Sequence, residues 1–389
     1  MGFGAIITSG ENHQPLDDRL MGWVIEARVE QKLSDATKIA LRFEDDLCDG
    51  GSEMEGRAEF HPGAILGVMI SYGDELSCLG FGPVTRVRSS SMVGGAGSWI
   101  EVTVTDMRET MDRTAVQATY TGKASEAAQN ILDAYHFTPD CEETRKEYST
   151  GTNALTQRAT DLAFVKDIAR KNNLEFWLSY ETETAGSSFS VTTTANLKSS
   201  PERPDRSAIP LGDLLPIPPI LQPDADRAIR INPPPNECVS VGRFDARIDF
   251  DRPNAAQGFS QDVRNGDSSE QSSSPPDPSL DSDAQPIANW TDSTRTVLAP
   301  AATTDPLDQF LAQEAELTEA SWFVEVDGSA TLEQLGFIIE PHQVVDVQYA
   351  GPRLSGPYQV MSTLHVINAA DHYVDFKLRA NGLRQGSAS

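Results

Sequence analysis

The sequence predicts a mainly β fold with an α+β insert: two small β-barrel domains separated by a helix–helix–hairpin unit. Three stretches carry this reading. Residues 335–382 hold three segments that alternate with period 2. Val344, Asp346 and Gln348 interleave with Val345, Val347 and Tyr349. Tyr358, Val360, Ser362, Leu364 and Val366 interleave with Gln359, Met361, Thr363 and His365. Tyr373, Asp375, Lys377 and Arg379 interleave with Val374, Phe376 and Leu378. Such alternation, rich in β-branched and aromatic residues, belongs to half-buried strands. Gly351-Pro352, Ser355-Gly356-Pro357 and Asn368-Ala369-Ala370-Asp371 give tight connections, so the stretch reads as an antiparallel meander. Residues 22–106 show strand-like segments without helical periodicity, and residues 125–171 switch to a spacing of 3.6.

In chain order, residues 23–29 form the first strand. Residues 37–44 form the second, with Ile39, Leu41 and Phe43 on one face. Residues 45–59 are an acidic, Gly-containing loop. Residues 64–71 are apolar on both faces, as in a central strand. Residues 76–88 and 98–105 complete the set. Phe81-Gly82-Pro83-Val84 marks a bend, because Gly and Pro disturb a ladder. Five strands and no helix predict a small barrel.

The insert follows. Ala127, Ala128, Ile131, Leu132 and Tyr135 fall at helical spacing within 125–135. Leu162, Val165, Ile168 and Ala169 share one face of a helix over 160–171. Thr160 is its N-cap, Asp161 suits its positive start, and Arg170 and Lys171 suit its negative end. Asn172-Asn173 supplies a left-handed stop. Leu174, Phe176, Leu178 and Tyr180 then alternate, followed by Phe189, Val191 and Thr193, as a hairpin does. Residues 200–236 are Pro-rich and read as a stiff connector. Residues 239–249 are a strand. Residues 252–286, rich in Ser, Asp, Gln and Pro, are expected to form a mobile loop, a long hairpin tip or surface loop. Leu307, Phe310, Leu311, Ala315 and Leu317 predict a helix over 306–320. Gly328 and Gly336 punctuate short strands at 322–326 and 330–332. The expected domains are 1–106 (first barrel), 107–199 (α+β), 200–236 (connector) and 237–389 (second barrel).

A net charge of −27 argues against a nucleic-acid binder, which needs a basic face. Cys48, Cys78, Cys141 and Cys238 lie far apart, and no Cys-x-x-Cys or His-x-x-x-His spacing suggests zinc. The longest apolar run, 64–72, is far short of the ~20 residues that a membrane span needs. No signal peptide precedes Gly10, so assembly in the cytoplasm is expected. Residues 51–56 carry glycines at the spacing of a phosphate loop, but Arg57-Ala58 stand where Lys and Ser or Thr are required. There is no Gly-x-Ser-x-Gly elbow. His365 and His372 face each other across the predicted hairpin beside Asp371, a structural pair rather than a metal or catalytic dyad. Asp45-Asp46 and Glu142-Glu143 sit in predicted loops. The sequence therefore assigns no catalytic residue, metal or cofactor. The competing reading is an acidic β-rich carbohydrate hydrolase or binding module.

Two motifs carry a family resemblance. Gly356-Pro357-Tyr358-Gln359-Val360, then His365, then Tyr373-Val374-Asp375-Phe376-Lys377 resembles the end of the hub proteins of contractile tails and injection systems. That family includes phage late control protein D and the base of VgrG. Thr160-Asp161-Leu162-Ala163-Phe164-Val165, followed by Leu174-Glu175-Phe176-Trp177, resembles the family's Ser-Asp-x-x-Phe-Leu helix and next strand. The resemblance marks Asp161, Phe164, Gly356, Tyr358, Val360, His365, Tyr373 and Phe376 as its structural motif residues. It implies a tube-like first barrel and a homotrimer whose six barrels form a ring. That ring would adapt a hexameric tail tube above to a trimeric spike below, with baseplate wedge proteins around it. The chain ends after the second barrel, which resembles the late control protein D arrangement with a separately encoded spike. Membrane insertion and nucleic-acid binding are not implied.

Overall fold

The computed structural model describes residues 4–45, 52, 54–73, 75–92, 96–150, 154–185, 188–201, 227–235, 241–261, 268–273, 280–281, 283–298 and 306–385. Most of the connector (202–226), much of the acidic loop, and Val239 at the expected start of a strand lie outside them.

The protein is mainly β. Its first unit contains β1 (Ile6–Ser9), helix α1 (Asp18–Gly22), β2 (Val24–Lys32), β3 (Lys38–Glu44), β4 (Ile65–Tyr72), β5 (Glu75–Ser90) and β6 (Trp99–Thr105). All five expected strands are present. β1 and α1 are additions, encoded by a run too short to show a period. Ile39, Leu41 and Phe43 are fully buried on one face of β3, against Ala27, Val29, Val102 and Val104. β4 is buried from Leu66 to Ile70, because it lies between β1 and β5.

The insert packs helices α2 (Ala124–Ala134) and α3 (Asp161–Lys171) with the hairpin of β10 (Glu175–Ala185) and β11 (Ser188–Lys198). Thr160 caps α3 by accepting the Ala163 N–H at 3.3 Å. Asn173 supplies the left-handed stop at φ 57°. The helix–helix–hairpin expectation omitted three strands of four or more residues, β7 (Ala115–Tyr120), β8 (Thr138–Cys141) and β9 (Leu155–Thr160), and the short pair Gly122–Lys123 with Glu147–Tyr148. β7 pairs with β9, and β8 runs parallel to β11. β7 alternates only between exposed and half-buried positions, so it carries no apolar period.

The second unit contains β12 (Ala228–Arg230), β13 (Arg243–Ile248), a hairpin of β14 (Ala255–Gln261) and β15 (Ser268–Ser273), the short β16 (Thr296–Leu298), α4 (Pro306–Ser321), β17 (Val324–Thr331), α5 (Leu332–Leu335), β18 (Val344–Gln348), β19 (Gly356–Asn368) and β20 (His372–Ala380). Four expectations are corrected here. The connector ends in a strand, β12, which pairs with β18. The stretch 252–286, read as a mobile hairpin tip or surface loop, does carry a hairpin, β14–β15, but it packs on α4: a Cβ on Gly258 would lie 2.3 Å from the Gln309 amide. On α4 the buried face includes Gln309, Leu311, Gln313 and Leu317, while Leu307 and Phe310 are exposed. Gly328 does not break a strand but sits inside β17, where the Phe376 ring occupies the place of a side chain; an added Cβ would lie 2.2 Å from it.

The meander itself needs a correction. Tyr358 and Val360 are buried, but so are Thr363, His365 and Ile367, not Leu364 and Val366. The register slips by one residue at Met361 in a β-bulge. A bulge moves every later side chain to the opposite face.

Candidate functional site: an edge-to-edge joint between two like units

The two units share one strand order. In the first, β2 pairs with β3, β3 with β6, β6 with β5 and β5 with β4. In the second, β13 pairs with β17, β17 with β20, β20 with β19 and β19 with β18. All eight pairings are antiparallel. A sixth strand lies on β4 and on β18, but in opposite senses: β1 is antiparallel to β4, with Ile7 opposite Val68, and β12 is parallel to β18, with Ile229 opposite Val347.

The correspondence extends to single residues on the long fourth strand. β5 pairs with β4 up to Pro83 and with β6 from Val84; β19 pairs with β18 up to Gln359 and with β20 from that point. Each strand carries a glycine of positive φ four residues before the valine where its partner changes, Gly80 at 158° and Gly356 at 148°, opposite Val68 and Val347 respectively. Each has a register slip after the fourth following residue, between Val84 and Arg86 and between Val360 and Ser362. Each has its valine held the same way. The Val84 carbonyl accepts from Gly63 (φ 86°) at 2.9 Å, and the Val360 carbonyl from His342 (φ 72°) at 2.8 Å. Glycine suits the first position because a left-handed residue with a side chain is strained.

Beyond the bulge of β19, its free edge takes up β2 of the first unit, from Ser362 opposite Lys32 to Asn368 opposite Glu26. The two units are thereby one continuous sheet. Within this joint Thr363 donates to Gln31 at 2.8 Å, and Gln31 donates onward to the Leu79 carbonyl at 2.9 Å. His365 and His372 are hydrogen-bonded at 3.0 Å. Burial, and for His365 also its neighbour His372, pushes these rings down to about 3 and about 4, so both are neutral near pH 7. Glu340 accepts from Ser77 at 2.7 Å across the same boundary.

The insert is tied to the second unit by a buried polar clamp. Glu175 of β10 accepts from Arg379 and, at 2.7 Å, from Gln359. Arg379 also donates to Gln359 at 2.8 Å and lies over the Trp322 ring. His342 stacks on Trp177 with centroids 3.7 Å apart. Charges this deep need such partners to offset desolvation. Arg108, buried against Asp106, ties the insert to the first unit, and Asp106 also accepts the Thr37 N–H at 2.6 Å.

The residues marked by sequence are spread over the insert core, the second unit and its joint with the first, rather than gathered in a cleft. Asp161 accepts from Tyr135 and Gln157, each at 2.7 Å, and Phe164 stacks on Tyr120 in the insert core. Gly356, Tyr358 and Val360 line the partner-exchange segment, where the Tyr358 hydroxyl donates to the Leu354 carbonyl at 2.9 Å. His365 lies in the joint and Phe376 fills the space over Gly328. Tyr373 is half exposed and donates to Asp371. Sequence reading missed Gly80, Gln31, Glu175 and Arg379. The shared Gly-x-x-x-Val spacing of Gly80–Val84 and Gly356–Val360 was the one available signal. Among the described residues, no group of three or more His, Cys, Asp or Glu is placed to hold a metal ion. No described helix is long and apolar enough to cross a membrane.

Neither a protein-family model nor a curated protein sequence matches this chain. Solved structures do. The fold is that of phage tail proteins and of VgrG-related components of contractile injection machines. The 43 kDa tail protein of prophage MuSo2 from Shewanella oneidensis is similar over 96% of this chain and 97% of its own, with a TM-score of 0.60 at 10% identity. A tail protein from Neisseria meningitidis is similar over 99% and 98%, with a TM-score of 0.58 at 11% identity. An E. coli component of the type VI secretion system, described as similar to T4 bacteriophage tail proteins, is similar over 98% and 79%, with a TM-score of 0.51 at 12% identity. At such identities the likeness is one of fold.

Proposed function

We propose that this chain is a structural hub of a contractile phage tail or a tail-like injection machine. The observation that carries the reading is the pair of like units joined edge to edge in one chain. A chain that supplies two equivalent units becomes, as a homotrimer, a ring of six. Such a ring matches a hexameric tail tube on one face, while features present once per chain offer three-fold symmetry on the other. The partners are then the tube protein above, a separate trimeric spike protein below and baseplate wedge proteins around. The likeness to tail proteins and to a type VI secretion component supports this. The work is mechanical: bearing load, sealing a channel and seeding tube assembly, within a tail-like particle assembled in the cytoplasm. The role is structural rather than enzymatic, in keeping with site residues that lie in joints between packed elements.

Light scattering and negative-stain microscopy of the purified chain test the reading. Three chains per particle and a ring-shaped projection are expected. A monomer with no tendency to associate, alone or with a tail-tube protein, would overturn it.

A further inference from the structure

The insert is seated on the two units in unlike ways. Its apolar core is its own: Met111, Leu132, Val165, Phe176 and Leu197 belong to a cluster that takes no residue from either unit. Against the second unit its polar groups are matched. Glu175 is held by Arg379 and Gln359, Trp177 stacks on His342, and Lys146 pairs with Asp308 of α4. The chain leaves the insert at this end too, where Lys198 lies opposite Glu175 and Ser200 donates to it at 2.9 Å.

Against the first unit several are not. Further along β10, Tyr180 lies over the outer face of the β1–β4–β5 sheet, with its ring 5.4 Å from that of Phe81. Thr182 points the same way, because side chains alternate along a strand. Thr8, Gly67 and Phe81 stand side by side on that face, with Met69 beside Cys78. The other face carries Ile7, Leu66, Val68 and Ile70 of the unit's own core. The His13 ring meets Phe81 edge-on at 4.5 Å. The Thr8 and Thr182 hydroxyls, the Tyr180 phenol and His13 Nδ1 are buried, and none has a hydrogen-bond partner among the described residues. A polar group buried without a partner has lost its bonds to water and regained none, so the closed seat is penalised against an open one.

We infer that the insert keeps its hold on the second unit while its β10–β11 hairpin lifts off the first, uncovering the outer face of the β1–β4–β5 sheet in the native protein. Lifting returns Thr8, His13, Tyr180 and Thr182 to water. It breaks the Phe81–Tyr180 contact and the Lys166–Asp35 pair at 3.4 Å, which solvent screens. The pivot is the end of the hairpin at Glu175, beside which the chain enters the insert through the buried Asp106–Arg108 pair. Local openings of this kind draw on the least stable contacts of a fold. The covered strip holds Met69, Cys78 and Phe81, so the lifted state alone exposes these side chains. A single chain suffices for the motion, which therefore stands apart from the hub reading.

Thiol labelling of Cys78 tests it. This residue is 1% exposed and lies near enough to Tyr180 to act on its phenol. Burial pushes the Cys78 thiol up to about 12, so it is inert while the hairpin is seated. Cys48, Cys141 and Cys238 are replaced by serine, and an aromatic disulfide reagent is added to the full chain at low urea. Labelling is expected to run roughly tenfold or more ahead of global unfolding, with little dependence on urea. Tyr180→Phe with Thr182→Val removes both hydroxyls and keeps the shape, and is expected to slow labelling roughly tenfold. Tyr180→Phe alone, the milder change, is expected to slow it by less. Labelling at the rate and urea slope of global unfolding would overturn the lift. Faster labelling of either variant in a chain that melts like the parent would show that the hydroxyls are bonded in the closed seat, and would overturn the first unit as the weakly held side.

Discussion

At the scale of single residues, two side-chain environments make direct predictions. Gly356 sits at φ 148°, and a Cβ there would lie 3.0 Å from the Asp281 carboxylate and 3.5 Å from the Arg384 guanidinium. It opens β19 rather than occupying a turn between strands, as its Gly-Pro context had suggested. Gly356→Val is therefore expected to lower stability by about 1–3 kcal/mol, read as a fall in melting temperature; a parent-like melt would show that this backbone carries no constraint. The His365–His372 pair predicts acid sensitivity. Both folded values lie below the ordinary 6.5, at about 3 and about 4. As pH falls, the unfolded chain takes up protons first, from about pH 6.5. Stability from this pair is complete above about pH 7 and is lost progressively toward the folded values. Denaturant melts at pH 7, 6 and 5 are expected to show a shallower decline for His372→Gln than for the parent. Parallel declines would mean that other groups dominate.

At the scale of elements, alternation was legible wherever apolar and polar residues took turns. β3, α3 and the β10–β11 hairpin were read from Ile39, Leu41 and Phe43, from Leu162, Val165 and Ile168, and from Phe176 and Leu178. Elements built from small or polar residues were not legible: β7 with its Ala, Gln and Thr, and the Ser-rich β15, show no apolar stripe. The Met361 bulge was hidden for a different reason. A slip of one residue leaves a run of β-branched residues looking regular, and only burial reveals that Thr363, not Leu364, continues the inner face. Gly328 is similar: composition reads it as a break, whereas the Phe376 ring explains it as a gap that must stay empty. Gly328→Ala is expected to displace that ring and cost about 1–3 kcal/mol. Phe376→Leu added to it is expected to be less than additive, as contacting residues are. Simple additivity of the two denaturation free energies would refute the contact.

At the scale of the whole molecule, the family resemblance implied two similar barrels in each chain, and the two units do share one strand order. Of the paired positions Gly80 to Val84 and Gly356 to Val360, only the first and last residues agree, so the plan survives as hydrogen-bonding geometry rather than as residue identity. The charge of −27 acts at this scale too. Copies so alike in sign repel one another, and salt screens that repulsion over about 8–10 Å at ordinary ionic strength. In the proposed ring, trimer formation is expected to strengthen as sodium chloride rises from about 50 mM to about 500 mM. Sedimentation at several salt concentrations measures it. Dissociation by salt would instead place local ion pairs between copies above the net repulsion.

The joint between Val24–Lys32 and Gly356–Asn368 closes inside one chain, so it forms during folding and needs no meeting of molecules. Six separate units would require five successive encounters to build the proposed ring; three two-unit chains require two. Each encounter removed spares the roughly 4–15 kcal/mol that association spends on translational and rotational freedom. At low concentration the yield of complete rings then rises with the third power of chain concentration instead of the sixth, so a scarce, slowly made chain still closes its ring.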